Sequence, residues 1–331
     1  MKTRTGSPSI AIAAVSVLIA LALAISAGCG SSGSGTGGTK PPPQRHYLAV
    51  ADNENNRVLI YDSPFSMGLS ASVVLGQPNM TSGGWALSAT GMDRPAAALF
   101  DSNGNLYIAD QNNSRVLQFK PPFSNGMSAS LVLGEPDFVT ATGSTGQPTQ
   151  SNLHWPDGLA FDGSGNLWVA DSANSRVVEY QPPFTNGMNA SLVIGAADFT
   201  SFGQGPTSSE LNMPASIAFD SGGNLWVADL IDNRVLEFKT PFSNGMSASL
   251  VLGQSDFVSR IFACSGSGLT YPYGIAFDSA GNLWMADANN RVLQFTPPFS
   301  SDMSASLVYP KWANNRCTRR KVMEGEQNGQ R

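Results

Sequence analysis

One phrase recurs five times along this 331-residue chain, and that recurrence limits what the chain can fold into more than any other feature. Residues 219–238 read FDSGGNLWVADLIDNRVLEF. Near copies stand at 100–119, 161–180 and 277–295, and a clipped copy, YLAVADNENNRVLIY, at 47–61. The aspartate closing each Ala-Asp pair falls at Asp52, Asp110, Asp171, Asp229 and Asp287, at spacings of 58, 61, 58 and 58 residues. A period this long marks a repeat architecture, so each local motif has to be judged first as part of a repeating unit.

Within one period the pattern divides into four short strands. In the fourth copy they are expected at 216–220, 225–229, 234–238 and 248–253, each rich in β-branched or aromatic residues. Asp-Ser-Gly-Gly-Asn separates the first two, with glycine where a tight turn needs positive φ. The third and fourth are joined by KTPFSNGMS, whose proline cannot donate to a ladder. Four antiparallel strands per repeat describe a propeller blade. In GNLWVAD, Leu225 and Val227 point to one face and Trp226 and Ala228 to the other; both faces are apolar, as blades stacked face to face require. The aromatic at Trp226 recurs as Tyr107, Trp168 and Trp284 and becomes Ala49 in the first copy, which marks it as inter-blade packing.

The unit P-x-G-[IL]-A-F-D-x-x-G-N-L-W-V-A-D-x-x-N-x-R-V-[LV]-x-[FY], nearly whole at 156–180 and 272–295, resembles the NHL repeat. The resemblance covers roughly residues 46–308. It implies a propeller, usually six-bladed, that binds protein, peptide, nucleic acid or carbohydrate; relatives with enzymatic activity hold a metal in the central channel. Here the expected fold is all-β, a β-propeller of four-stranded antiparallel blades with five blades visible. The first is incomplete, because no innermost strand precedes Leu48, so the strands number 19 where a closed five-bladed ring needs 20. The ring is then either an imperfectly closed five-bladed toroid or a six-bladed one truncated late. In similar propellers the C-terminal end of the chain supplies the missing strand, and nothing in 309–331 resembles one.

The ends of the chain read differently from the repeats. Lys2 and Arg4 precede a 16-residue apolar run at 10–25, and ISAGC at 25–29 resembles the lipobox of bacterial lipoproteins. The expected organisation is a signal peptide at 1–28, lipidated Cys29 with a Gly/Ser/Pro tether at 29–45, the propeller at 46–310 and a basic tail at 311–331. This places the protein in the cell envelope, on the outer membrane or periplasmic side, with the membrane reached through the lipid anchor only. Loss of the signal leaves 17 basic against 24 acidic residues, a net charge of −7, which does not favour nucleic acid. Of the three cysteines, Cys264 and Cys317 fall in corresponding inter-blade regions of neighbouring repeats, which allows a disulfide in an oxidising compartment; two free or buried thiols fit equally well.

Candidate chemistry is sparse. The recurring Asp and the arginine four or five residues later (Arg57, Arg115, Arg176, Arg234 and Arg291) form a structural hairpin pair, since one active site would not need five copies. The Asp52-Asn53-Glu54-Asn55-Asn56 loop lacks the central glycine and terminal glutamate of a calcium loop. With two histidines, His46 and His154, and no HExxH, CxxC or GxSxG, no metal, cofactor or catalytic set is assigned. What varies between blades is the entry to the innermost strand. There the repeat brings Asp93, Arg94, His154, Trp155, Asp157, Tyr271 and Tyr273 toward the mouth of the channel, on the rim that also carries the variable loops 135–155, 196–213 and 254–271. The ligand-binding candidates are Arg94, His154, Trp155, Asp157, Tyr271 and Tyr273, for a protein, peptide or carbohydrate ligand; aromatics that merely plug the channel are the alternative. A metal-dependent propeller hydrolase or lyase, lactonase-like or amidating-lyase-like, is the rival reading, with Asp157 and His154 as its only candidates. An open ring would also expose strand edges and favour self-association.

Overall fold

The computed structural model describes residues 46–142, 146–203 and 205–309. The expected segments 1–28, 29–45 and 311–331, with Cys29 and Cys317, lie outside the described residues. Blade 1 has three strands, β1 (Tyr47–Asp52), β2 (Arg57–Asp62) and β3 (Val73–Leu75). Blade 2 comprises β4 (Pro95–Phe100), β5 (Leu106–Asp110), β6 (Arg115–Phe119) and β7 (Leu131–Leu133). Blade 3 comprises β8 (Pro156–Phe161), β9 (Leu167–Asp171), β10 (Arg176–Tyr180) and β11 (Leu192–Ile194). Blade 4 comprises β12 (Pro214–Phe219), β13 (Leu225–Asp229), β14 (Arg234–Phe238) and β15 (Leu250–Leu252). Blade 5 comprises β16 (Pro272–Phe277), β17 (Leu283–Asp287), β18 (Arg291–Phe295) and β19 (Leu307–Tyr309). Each sheet is an antiparallel meander in chain order, and the described residues hold the 19 strands expected, with the innermost strand of blade 1 missing.

The innermost strands start two residues earlier than the β-branched pattern suggests, at the proline. Pro214 pairs with Asp229, then the register slips before Ser216 pairs with Ala228; the same irregularity follows Pro95, Pro156 and Pro272. A bulge needs no donor from its first residue, so proline is tolerated there and the extra residue is turned off the sheet. The fourth strands are shorter than expected, three residues each, because they sit at the outer edge.

The turn between first and second strands shows why its sequence repeats. In blade 4 the Asp220 carboxylate accepts the backbone N–H of Gly222 and Asn224 at 2.8 and 2.9 Å, an Asx turn, while Gly223 takes φ +78° where a side chain would be strained. Its other oxygen accepts the Asn224 amide at 2.9 Å and the Trp226 indole N–H at 3.1 Å. The turn thereby orients the large residue that enters the next interface.

Packing between consecutive blades makes four apolar cores. Trp168 of blade 3 lies 5.7 and 4.9 Å from the rings of Phe219 and Phe242 in blade 4, and Trp226 lies 5.7 and 4.8 Å from Phe277 and Phe299 in blade 5. Both tryptophans are fully buried. Blade 1 carries Ala49 at this position, and Tyr47, two residues earlier on the same face, fills in with contacts to Phe100 and Phe123 at 6.2 and 5.5 Å. Gly158 lets the inner strands of blades 3 and 4 approach closely: a Cβ there would stand 2.8 Å from the Ser216 Cα. Among the described residues no core joins blade 5 to blade 1.

Candidate functional site

The repeated aspartate and arginine belong to the frame. In blade 2 Arg115 donates from Nε to Asp110 at 2.8 Å, from Nη1 to the Phe138 carbonyl at 2.6 Å, and from Nη2 to the Ser88 and Gly91 carbonyls at 2.9 and 3.0 Å. One buried guanidinium thus pins the long loops on both sides of its blade. Arg176 binds the Phe199, Thr149 and Asn152 carbonyls, and Arg234 those of Phe257 and Glu210. Burial pushes the Asp110 carboxyl up to about 6 and that of Asp229 to about 7, against the pull of their arginines. Arg291 of blade 5 differs: its Nη1 turns back to Ser265, in the loop before its own blade.

These hairpins share a rim with the entries to the inner strands. Ser172 N–H donates to the Trp155 carbonyl and Ala173 N–H to that of His154; the same tie links Asn112 to Asp93, Ile231 to Asn212 and Ala288 to Thr270. The residue before each inner-strand proline takes left-handed φ: Arg94 +53°, Trp155 +53°, Met213 +55° and Tyr271 +44°. Non-glycine residues avoid that region, yet the frame imposes it at all four entries with four unrelated side chains. The backbone there is constant and the side chain is free to vary. For Arg94 and Tyr271 the strained N–H is held by an asparagine of the preceding blade, Asn56 and Asn233, each at 2.9 Å.

The candidate residues do not all converge. Asp157, Tyr271 and Tyr273 lie within electrostatic reach of one another: Tyr273 is pushed above its ordinary range, first by burial and then by the neighbouring Tyr271 and by Asp157 of blade 3. Asp157 sits in the bulge of β8, partly buried, and burial alone pushes its carboxyl from 3.8 up to about 7. Trp155 is 44% exposed on the rim and its ring lies 5.6 Å from that of His154. His154 gives its backbone N–H to Asp171 at 2.6 Å. Arg94 turns away to a solvent-exposed pair with Glu54 of blade 1 at 3.2 Å, and Asp93 is engaged by Asn112 at 3.1 Å.

Sequence reasoning overlooked a neighbouring patch. Val258, Ile261 and Phe262 of the 254–271 loop are 66%, 67% and 51% exposed, and Phe262 packs edge-on to Tyr271 at 5.2 Å. The signal was available as three large apolar residues, Val258, Ile261 and Phe262, that have no counterpart in the repeating pattern. On the other rim, a cleft of about 520 Å³ opens between blades 2 and 3, lined by Asp101, Tyr107, Lys120, Phe161 and Phe184. Tyr107 stands there in place of the tryptophan of later blades, its ring 5.9 Å from Phe184, against 4.9 Å for Trp168 and Phe242. Among the described residues no three of His, Cys, Asp and Glu group to hold a metal. No described helix is long and apolar enough to cross a membrane. Cys264 is disulfide-bonded.

Together these elements define a β-propeller of five blades, the first with three strands. Residues 153–180 match the family model of the NHL repeat. No curated protein sequence matches the chain. Among solved structures the chain is similar to a catalytically inactive virginiamycin B lyase from Staphylococcus aureus with quinupristin, at 12% identity and a TM-score of 0.45, covering 76% of this chain and 64% of that one. It is also similar to a protein of unknown function from Bacteroides caccae, at 12% identity and a TM-score of 0.46, covering 81% and 83% of the two chains. The chain spans just under two thirds of the length of the lyase.

Proposed function

We propose that this protein is a binding module of the bacterial cell envelope, tethered by lipid at Cys29, that takes a protein or peptide segment at the mouth of its channel. The observation that carries the reading is the contrast at the inner-strand entries, where a fixed, strained backbone presents unrelated side chains, among them an exposed Trp155. Large aromatics at a concave mouth are frequent binding anchors. Val258, Ile261 and Phe262 beside Tyr271 extend the apolar surface outward. Exposed aliphatic side chains suit apolar peptide side chains better than the hydroxyl-rich faces of a sugar, so peptide is favoured over carbohydrate.

Partly buried Asp157, whose carboxyl burial pushes up to about 7, would when protonated donate a hydrogen bond to a backbone carbonyl in that mouth. The test is binding of the full chain to a peptide array and a glycan array in parallel. Trp155→Ala and Tyr273→Ala are expected to weaken peptide binding by about 1–3 kcal/mol each. Peptide binding untouched by both, or binding to glycans alone, contradicts the reading. The tether is checked separately: Cys29→Ala should abolish metabolic palmitate labelling, and unchanged labelling removes it.

A further inference from the structure

Every internal interface is made from the same two half-faces. Blade 4 contributes a leading half, Trp226, Ala228, Val235, Leu250 and Leu252; blade 5 contributes a receiving half, Leu283, Met285, Leu293 and Phe295, with Phe277 and Phe299 around the indole. Three other interfaces repeat this pairing. Five blades in an arc leave one leading half and one receiving half over.

Among the described residues nothing packs on either leftover half. On blade 5 the leading half is Trp284, Ala286, Val292, Leu307 and Tyr309; Val292 is 38% and Tyr309 54% exposed, where their counterparts Val235 and Leu252 are 0% exposed. Trp284 still gives its indole N–H to Asp278 at 2.8 Å, but it has no ring partner among the described residues. On blade 1 the receiving half is Leu48, Val50, Leu59 and Tyr61, all partly exposed where Leu225, Val227, Leu236 and Phe238 are 0% exposed. Phe65, which corresponds to Phe299, is 47% exposed.

We propose that these two faces bind each other between molecules, blade 5 of one copy against blade 1 of the next. A second copy of this chain is the occupant the observations favour, because the exposed surfaces are the two complementary halves of an interface the chain already forms four times. Trp284 of one molecule has the ring chemistry to seat on Phe65 of another as Trp226 seats on Phe299 at 4.8 Å. The association is head-to-tail, so the contacting patches differ and each added copy leaves a fresh end.

It is also weaker than an internal interface, for two reasons. Blade 1 lacks the inner strand that would supply the second phenylalanine. Further, Met67, fully exposed, stands where Asn125, Asn186 and Asn244 accept the N–H of Val74, Val132 and Val193 from the preceding blade. The outer strand of blade 5 therefore finds no such acceptor on blade 1. The complex is accordingly reversible on dilution.

The test is sedimentation of the full chain in mild detergent over a wide range of concentration, with Val292→Glu, which spoils the leading half alone, and Phe65→Glu, which spoils the receiving half alone. The unaltered chain should show a mass that rises with concentration beyond one copy. Each variant by itself should stay monomeric, and an equimolar mixture should form a two-chain species and nothing larger, since the mixture holds one intact face of each kind. Val292→Ser and Phe65→Ser repeat the test if either charged variant fails to melt like the parent. A parent chain monomeric at every concentration, or a mixture that stays monomeric, overturns the proposal; a peptide or protein of another kind, or the chain's own residues, would then cover the faces.

Discussion

Trp155 and Trp226 divide the molecule. Trp226 lies on a central strand, fully buried between two blades, with Phe277 and Phe299 edge-on and its N–H on Asp220. Trp155 stands at a strand entry, 44% exposed, on a backbone twisted to φ +53°. The first repeats as an aromatic in three other blades and the second is matched by Arg94, Met213 and Tyr271. Where the repeat keeps its side chain it holds blades together; where it keeps only its backbone, the side chain is free to vary.

The sharpest way to break that contrast is to truncate the buried ring. Trp226→Ala is expected to cost about 3–5 kcal/mol, the range for emptying a large aromatic from a packed core. Denaturant unfolding would measure it, and a loss no larger than that of an ordinary surface substitution would show that the blades do not rest on this contact. At the rim, Trp155→Ala and Tyr273→Ala should leave unfolding nearly unchanged while weakening peptide binding, as set out above. Between these extremes, Trp284→Ala sharpens the account: the same residue in the same motif, with one side open, should destabilise clearly less than Trp226→Ala in the same assay.

A further effect concerns acidity. The folded-state carboxyl of Asp157 is raised from 3.8 to about 7, so between those values the folded chain holds a proton the unfolded chain has released. Asp157 therefore makes stability fall as pH rises from about 4 to about 7, by its own contribution. Asp157→Asn, which carries no titrating group, should flatten that part of the stability-against-pH curve and leave the mutant relatively more stable at pH 8 than at pH 4. An unchanged slope would place the Asp157 carboxyl in ordinary solvent.

Much of this frame was legible in the residues, because period and alternation report directly on blades. Strand number, the missing inner strand of blade 1 and the packing role of Trp226 all follow from the repeat. What escaped was whatever depends on distant partners. The clamp from Arg115 reaches carbonyls 23 and 27 residues away, Phe138 and Ser88, in loops whose paths no local pattern dictates. Tyr47 substitutes for the ring missing at Ala49 from a position the alignment of repeats does not single out. The entries to the inner strands look interchangeable in sequence, but Arg94 is drawn to Glu54 while Tyr271 leans on Phe262. Bulges moved the strand starts to the prolines because a bulge forgives a missing donor.

The most direct measurement is thermal unfolding of Trp155→Ala beside Trp226→Ala in the full chain. The account predicts a midpoint for Trp155→Ala within about a degree or two of the parent and a loss on the order of ten degrees for Trp226→Ala. Equal losses, or a larger loss for Trp155→Ala, would mean that the mouth is part of the load-carrying frame and that its variable side chains pack rather than bind.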